Sequence, residues 1–427
     1  MNTKLTLIAA LLATSLSSVV SAGELADVYQ QALNNDPQLK SAEAAYLAGQ
    51  ETSVQSRAAL LPNISLSANT TAIETSTADF NNHGYTLSLS QPVFNAASWF
   101  TFKQGKVLSE QSALQFDLQQ QNLILRTIEA YLGVLRAGTA LQTTKAQERA
   151  IKRRLDQVNA QFEVGLIANT DVQEAQASYD NAQVSRISAE GDLDNSYEAL
   201  ERLTGQPAGS VAKLQDDYPV EAPSPSDAKP WLEKSWSDNI TLKIADLSTE
   251  SARRAAQAGH ADHYPTLSLT ASYDYDKGTA STDYGSDNSA VGLTLSMPIF
   301  SGGAVSSKSR ELEHRLTEAQ QNREDTLRSV TQSTRSLLRN LRTGALSVKA
   351  LGQSIRSSQT ALNATEEGYK VGTRNVVDVL QAEQQLYSAQ LNYANARFDY
   401  IQNLAAFKQQ LGSLSPEDIN ELDGWLK

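Results

Sequence analysis

The sequence predicts a mainly α-helical fold in which very long coiled-coil helices continue into a small membrane β-sheet. Three observations predict it. Motifs recur in the same order about two hundred residues apart, two stretches of more than a hundred residues contain no proline, and four segments alternate aliphatic with hydroxyl side chains.

The first residues have the order of a cleaved secretory signal. Lys4 precedes an apolar run from Leu5 to Leu12, and small residues at Val20–Ala22 stand before Gly23. The apolar run is too short to span a membrane. We therefore predict a signal peptide over residues 1–22 and export of the mature chain.

Composition excludes some classes of binding partner and some kinds of chemical site. The net charge is −12, and loss of Lys4 with the signal makes it −12 − 1 = −13, so no nucleic acid is expected as a partner. The chain contains no cysteine, which excludes disulfides, thiolate metal sites and lipid attached through cysteine. After residue 22 no apolar run has the length of a transmembrane helix, so any membrane segment must consist of strands.

Internal repetition divides the chain into halves. Leu61–Ala68 is matched by Tyr264–Ala271, 203 residues later, and Val164-Gly165 by Val371-Gly372, 207 residues later. Such a nearly constant offset indicates a duplicated unit. We predict a first repeat over 23–206, an irregular, proline-rich equatorial connector over 207–232, a second repeat over 233–412 and a tail over 413–427.

Each repeat contains one very long helix followed by a second helix. The stretches Ala97–Val164 and Ala304–Val371 favour helix throughout and correspond to about 100 Å each. In the final helix Leu380, Tyr387 and Leu391 begin an apolar series with gaps of seven, four and three residues. This narrow stripe is typical of a coiled-coil seam, so we expect helices with one dry and one wet side.

Four segments predict strands suited to a membrane. In the alternating runs 64–68, 86–90, 267–272 and 291–297 the polar faces carry Ser, Thr and Gly without Lys, Arg or Glu. A barrel wall turns small hydroxyls towards its lumen and aliphatic side chains towards lipid, whereas a soluble hairpin, the alternative, usually exposes charge. The segments lie at about 63–73, 84–94, 266–276 and 290–300.

Four strands are too few to close a barrel, for which about eight is the practical minimum. The chain must therefore associate. A dimer would supply eight strands around a filled interior, and a trimer would supply twelve around a channel. The strand pattern leaves both open.

The motifs resemble the TolC family of outer-membrane export channels over essentially the whole mature chain. The resemblance is carried by pairs that open strands, close strands and end the long helices: Leu61-Pro62 with Tyr264-Pro265, Gln91–Phe94 with Met297–Phe300, and Val164–Leu166 with Val371–Arg374. It implies a homotrimer in which a coiled-coil α-barrel continues into a twelve-stranded β-barrel, four strands per protomer.

The resemblance also implies location and partners. The chain would lie in the outer membrane of a Gram-negative bacterium, in contact with its lipid, and extend into the periplasm. There it would dock to a periplasmic adaptor (membrane fusion) protein and an inner-membrane RND, ABC or MFS transporter. It would pass drugs or proteins to the exterior through an iris-like periplasmic gate, without a cofactor.

The gate implied by the resemblance lies at the helical turns. Tyr369 and Arg374 are expected to hold the closed tip through contacts to Thr170 and Asp171 on the neighbouring hairpin. On the residues alone, Asp171 is explained as an acidic residue at a helix N-terminus and Arg374 as a solvated turn residue.

A second restraint is expected between Glu366 and Arg154. Glu366 stands where relatives of the TolC family carry another acid that restrains the tip. The usual counterpart position holds Arg154 here, so an ion pair is expected in place of a weaker polar contact.

Asp378 is expected to form a selectivity ring, because symmetry would bring its copies together near the axis, where like charges attract cations and resist simultaneous ionisation. The simpler interpretation is a charge that complements the helix dipole. Relatives carry a second acid three residues further on, where this chain has Gln381, and this departure puts a double carboxylate ring in doubt.

The turns also supply a candidate surface for the adaptor, because glycine and small side chains let helices approach closely. The alternative is that each glycine merely ends a helix. The expected docking residues are Val164, Gly165 and Leu166 in the first turn and Val371, Gly372 and Thr373 in the second.

An enzyme is not expected. His260 and His263 are better explained as surface residues than as a metal pair, and we find no phosphate-binding glycine loop, nucleophile motif or paired catalytic carboxylates. The competing class is a secreted coiled-coil structural protein or adhesin, which would be soluble without detergent and would not conduct ions.

Overall fold

The computed structural model describes residues 25–74, 76, 79–278 and 285–426; the predicted signal peptide, residues 1–22, lies outside them. The first repeat consists of α1 (Leu25–Asn35), α2 (Pro37–Ala58), β1 (Asn63–Glu74), β2 (Asp79–Phe94), α3 (Ala96–Glu163) and α4 (Asn169–Thr204). The second repeats this order with α5 (Lys229–Asp238), α6 (Ile240–Ala261), β3 (Thr266–Lys277), β4 (Ser286–Ser296), α7 (Ala304–Lys370) and α8 (Val376–Gln410), and α9 (Pro416–Asp423) follows. The structure therefore contains one succession of elements twice.

The longest elements are α3 and α7, with 68 and 67 residues. Both begin and end within one residue of the predicted limits, because no proline interrupts them and a left-handed glycine follows each. We call α3 with α4 the first hairpin and α7 with α8 the second hairpin. Among the described residues, none of the helices is both long and apolar enough to cross a membrane.

The strands form one antiparallel sheet in the order β1-β2-β3-β4. Its register places Leu66, Leu87 and Tyr273 side by side on one face. Ser65, Ser88 and Ser272 lie side by side on the other, where the Oγ atoms of Ser65 and Ser88 are 2.7 Å apart. The sheet therefore has an apolar face and a hydroxyl face, as the alternation predicts.

Two strands differ from the predicted limits. β2 begins at Asp79 rather than near residue 84, because its polar first residues pair with the end of β1 although they carry no alternation of apolar side chains. β4 covers Ser286–Ser296 rather than 290–300. It stops before Pro298, which has no N–H to donate to a ladder, and its polar start pairs with β3.

The connector and the tail are more ordered than predicted. α5 begins at Lys229, inside the predicted connector, and the Tyr400 hydroxyl donates a hydrogen bond of 2.6 Å to the carbonyl of Glu221. The predicted tail contains α9, whose Ile419 and Leu422 are buried in the main core together with residues of α1, α3, α4 and α8. Residues 413–426 therefore complete the core between the two repeats.

Candidate gate at the helical hairpin tips

Both hairpins turn through a glycine at the end far from the sheet. Gly165 and Gly372 have φ values of +75° and +77°, a conformation that glycine adopts without strain. The N–H of Leu166 donates to the carbonyl of Gln161, and the N–H of Thr373 to that of Gly368, both at 2.9 Å. We call residues 164–168 the first tip and residues 371–375 the second tip.

A short apolar cluster packs the two hairpins together beside their tips. Ile151, Leu155 and Val158 of α3 contact Val376 and Leu380 of α8. Leu380 is the first residue of the seam predicted in the final helix. The cluster brings the first turn of α8 against the last turns of α3 within one protomer.

The predicted docking residues lie at the surface of the tips. Val164, Leu166 and Val371 are apolar and largely exposed. A side chain added at Gly165 or Gly372 would meet no atom within 4 Å. Their role in docking stays a prediction.

Tyr369 lies at the junction of the hairpins, but its hydrogen bond goes to a residue that the sequence did not suggest. Its hydroxyl donates to Oε1 of Gln161 on α3, over 2.6 Å. Burial raises the pKa of the Tyr369 phenol, while the charge of Arg154 opposes this shift and that of Asp171 adds to it. The predicted contact of Tyr369 with Thr170 or Asp171 of a neighbouring hairpin stays a prediction.

Thr170 and Asp171 lie in the first turn of α4, with Thr170 exposed and Asp171 half-buried. A carboxylate there is stabilised by the helix dipole. The structure therefore gives Asp171 a local role in its own helix, beside any contact across the hairpins.

Arg374 and Asp378 interact within the second tip. Nη1 of Arg374 is 3.9 Å from Oδ2 of Asp378, which is a loose pair on the surface. Asp378 also completes a capping box, because Oδ1 of Asn375 accepts the Asp378 N–H at 2.8 Å and Oδ2 of Asp378 accepts the Asn375 N–H at 3.2 Å. Asp378 therefore caps α8, and Gln381 lies exposed one turn further on.

A polar contact between the two hairpins near the tips is centred on Arg154. Its Nη2 lies 2.7 Å from Oε1 of Glu366 on α7 and 3.3 Å from Oε1 of Glu383 on α8. The guanidinium also lies over the Tyr369 ring, 5.8 Å from its centre. The ion pair expected between Arg154 and Glu366 is thus present, while its part in gating stays a prediction.

Glu383 is a further acidic residue of this contact that is not among the residues predicted for the gate. Its side chain is 7% exposed, compared with 11% for Arg154 and 37% for Glu366. Burial raises the pKa of the Glu383 carboxyl, and Arg154 opposes this shift only in part. Oε2 of Glu383 and Nε of Arg154 are buried without a hydrogen-bond partner among the described residues.

A signal for Glu383 was available in the seam of the final helix. The gap of seven residues between Leu380 and Tyr387 should contain a further seam position three or four residues along. Glu383 stands three residues after Leu380 and therefore points into the interface. An acidic residue there requires a cation on the facing helix.

His260 makes polar contacts between two helices. Oγ of Ser309 lies 2.9 Å from Nδ1 of His260, and Nε2 of His260 lies 2.9 Å from Oε1 of Glu313. In the part of the chain that the structure describes, no three His, Cys, Asp or Glu side chains are grouped to hold a metal ion. His260 therefore joins α6 to α7.

Comparison with known proteins agrees with this architecture. The family model described as "Outer membrane efflux protein" matches residues 28–206 and 231–413, one match for each repeat. The outer membrane protein TolC of Vibrio cholerae is 35% identical over 97% of this chain and 96% of its own. The alkaline protease secretion protein AprF of Pseudomonas aeruginosa is 30% identical over 92% of this chain and 85% of its own.

Solved structures show the same fold. The crystal structure of the CmeC outer membrane channel of Campylobacter jejuni superposes with a TM-score of 0.81 at 18% identity. The match covers 94% of this chain and 90% of that one. Long hairpins joined to four strands per protomer are therefore a shared architecture.

Fold and sequence together define a channel protein of the Gram-negative outer membrane that serves efflux or type I secretion. This class is a transporter, not an enzyme. The chain belongs to the outer membrane efflux protein family, that of TolC. Members of this family form trimers within tripartite efflux systems.

Proposed function

We propose that three copies of this chain form one channel, with a twelve-stranded barrel in the outer membrane and a helical tunnel that closes at the hairpin tips. The observation that carries the proposal is the sheet. It has an apolar face and a hydroxyl face, and β1 and β4 lie at its two edges. Such a sheet is completed only when edges of different copies pair, and the hydroxyl face then lines the lumen.

The purified oligomer should conduct ions in a planar bilayer, and its mass should equal three protomers. We propose Tyr369, Arg374, Thr170 and Asp171, together with the Arg154–Glu366 pair, as the closure of the tip. A selectivity ring of Asp378 would make this closure favour cations. A monomer that stays folded in buffer without detergent would contradict the proposal.

The double variant Arg374→Ser with Tyr369→Phe should conduct more than the wild-type oligomer. It removes the exposed cation of the second tip and the hydroxyl that donates to Gln161. The proposed contact of Arg374 across the hairpins and the hydrogen bond of Tyr369 to Gln161 would each contribute about 1 kcal/mol to closure, so we expect roughly a tenfold or larger increase in the open fraction. Single-channel recording measures this fraction, and equal conductance of variant and wild type would remove these two residues from the gate.

We further propose that Val164, Gly165, Leu166, Val371, Gly372 and Thr373 form the surface to which a periplasmic adaptor docks. Exposed aliphatic side chains beside open glycines are a surface against which helices can pack. The variant Val164→Ser with Leu166→Ser should abolish export in cells while leaving bilayer conductance unchanged. Retained export would contradict docking at the first tip, and the exposed pair Val184→Ser with Ile187→Ser on α4 is a matched control.

The remaining parts of the assembly follow from this arrangement. We propose an inner-membrane transporter of the RND, ABC or MFS class behind the adaptor, so that the transporter selects drugs or proteins as cargo. Relatedness to AprF, which is named for secretion of alkaline protease, supports proteins as cargo.

We also propose that residues 1–22 are removed on export. N-terminal sequencing of the mature protein should then begin at Gly23.

A further inference from the structure

Arg154 is one cation between two carboxylates from different helices. Glu366 is partly hydrated at the edge of the interface, whereas Glu383 is buried within it. When both glutamates are ionised, the cluster of Arg154, Glu366 and Glu383 has a net charge of −1. The excess negative charge then lies on the buried carboxylate, that of Glu383.

The surroundings of Glu383 provide little further compensation. From α3 it faces Arg154 and, at longer range, Arg153, whose side chain is exposed. From α7 it faces Glu366, which repels a negative charge, and from its own helix Tyr387 lies one turn away. Oε2 of Glu383 accepts no hydrogen bond from any residue that the structure describes, so an ionised oxygen there would lack the donors that water supplies in an open tip.

We propose that Glu383 is a positioning residue of the gate, which in its protonated form holds Arg154 against Glu366 while the tip is closed. This inference depends on the proposed gate function. A neutral carboxyl still presents an oxygen to Nη2 of Arg154, and the cluster then contains one cation and one anion. Glu383 thereby fixes a guanidinium whose Nε has no hydrogen-bond partner within the described part of the chain.

Proton binding is then linked to closure. Separation of the hairpins brings Glu383 into water, where its pKa returns to the ordinary value, while burial in the closed tip raises that pKa. The closed state therefore binds the proton more tightly. This contribution to closure is complete below the ordinary pKa of glutamate and is lost as the pH rises through the raised value.

The experiment is single-channel recording of the trimer across this pH range. For the wild type, the ratio of closed to open channels should fall with rising pH, by about tenfold for each unit by which closure raises the pKa. Glu383→Gln, which resembles the protonated form, should stay closed and lose the pH dependence. Glu383→Ala should open at every pH, because Arg154 loses its support.

Two controls separate this role from a general effect of charge. Glu367 is exposed on α7, next to Glu366 in the sequence. Glu367→Gln removes one negative charge there and should keep the wild-type dependence of closure on pH. Glu383→Asp keeps an acid but shortens it, so it should titrate from a more open baseline, and it serves as the test if Glu383→Gln does not assemble.

The outcomes are distinct. A wild-type channel whose closure does not change with pH, or a Glu383→Gln channel with the wild-type profile, would overturn the inference but leave the gate in place. So would opening of Glu383→Gln at acidic pH, because the ionised pair would then hold the tip. An oligomer that does not conduct at all would instead contradict the proposed function.

Discussion

Arg154→Ala should give a channel that leaks at its periplasmic tip. The change removes the link to Glu366 and leaves Glu383 buried without a cation. Removal of one partner of a buried ion pair costs about 3–5 kcal/mol, so at a pH where Glu383 is ionised we expect a hundredfold or greater loss of the closed state. The effect should be largest at alkaline pH, because a protonated Glu383 needs no cation.

Open probability in planar bilayers measures this effect. Arg153→Ala is the matched control, because it removes the same side chain from the adjacent, exposed position of α3. It should differ little from the wild type. If both variants close as firmly as the wild type, the Arg154 cluster is a structural contact without a part in gating.

Leu293→Arg should prevent assembly of the membrane sheet. Leu293 lies on the apolar face of β4, opposite Leu269, and is 67% exposed. An arginine facing lipid near the middle of the bilayer costs about 2–4 kcal/mol, and the cost is incurred in every copy of the oligomer. The yield of heat-resistant oligomer from detergent extracts should therefore fall sharply.

The adjacent residue provides the control for this second prediction. Thr294 pairs with Ser268 on the hydroxyl face, which faces the lumen in the proposed barrel. Thr294→Arg should leave the yield nearly unchanged and alter ion selectivity instead. Equal losses for both variants would show that the two faces do not meet different environments.

The sequence predicted those parts of the fold that depend on local chemistry. α3 and α7 were placed to within one residue because proline-free helical composition is interrupted only at Gly165 and Gly372. The two faces of the sheet followed from alternation. The start of β2 and the helix α9 were missed because their formation depends on pairing and burial against distant segments, which local patterns do not record.

The site was only partly predictable for the same reason. The Arg154–Glu366 pair came from the family resemblance, and the structure adds Gln161 and Glu383, which face these residues from other helices. Glu383 carried a signal in its seam position, but its partner could not be chosen without the register of α3 against α8. Gln161 is one of many glutamines in the long helices, and its sequence position carried no signal of this contact.

The two edge strands have a consequence for the population of channels in a cell. A subunit whose β1 or β4 cannot pair still offers its other, intact edge to healthy subunits, so it is incorporated and then blocks ring closure. With equal amounts of sound and faulty subunits, random mixing would leave only about one trimer in eight free of a faulty copy. A lesion at an edge strand should therefore be dominant over a normal second copy of the gene, whereas a lesion that unfolds the chain before it meets its neighbours should be recessive.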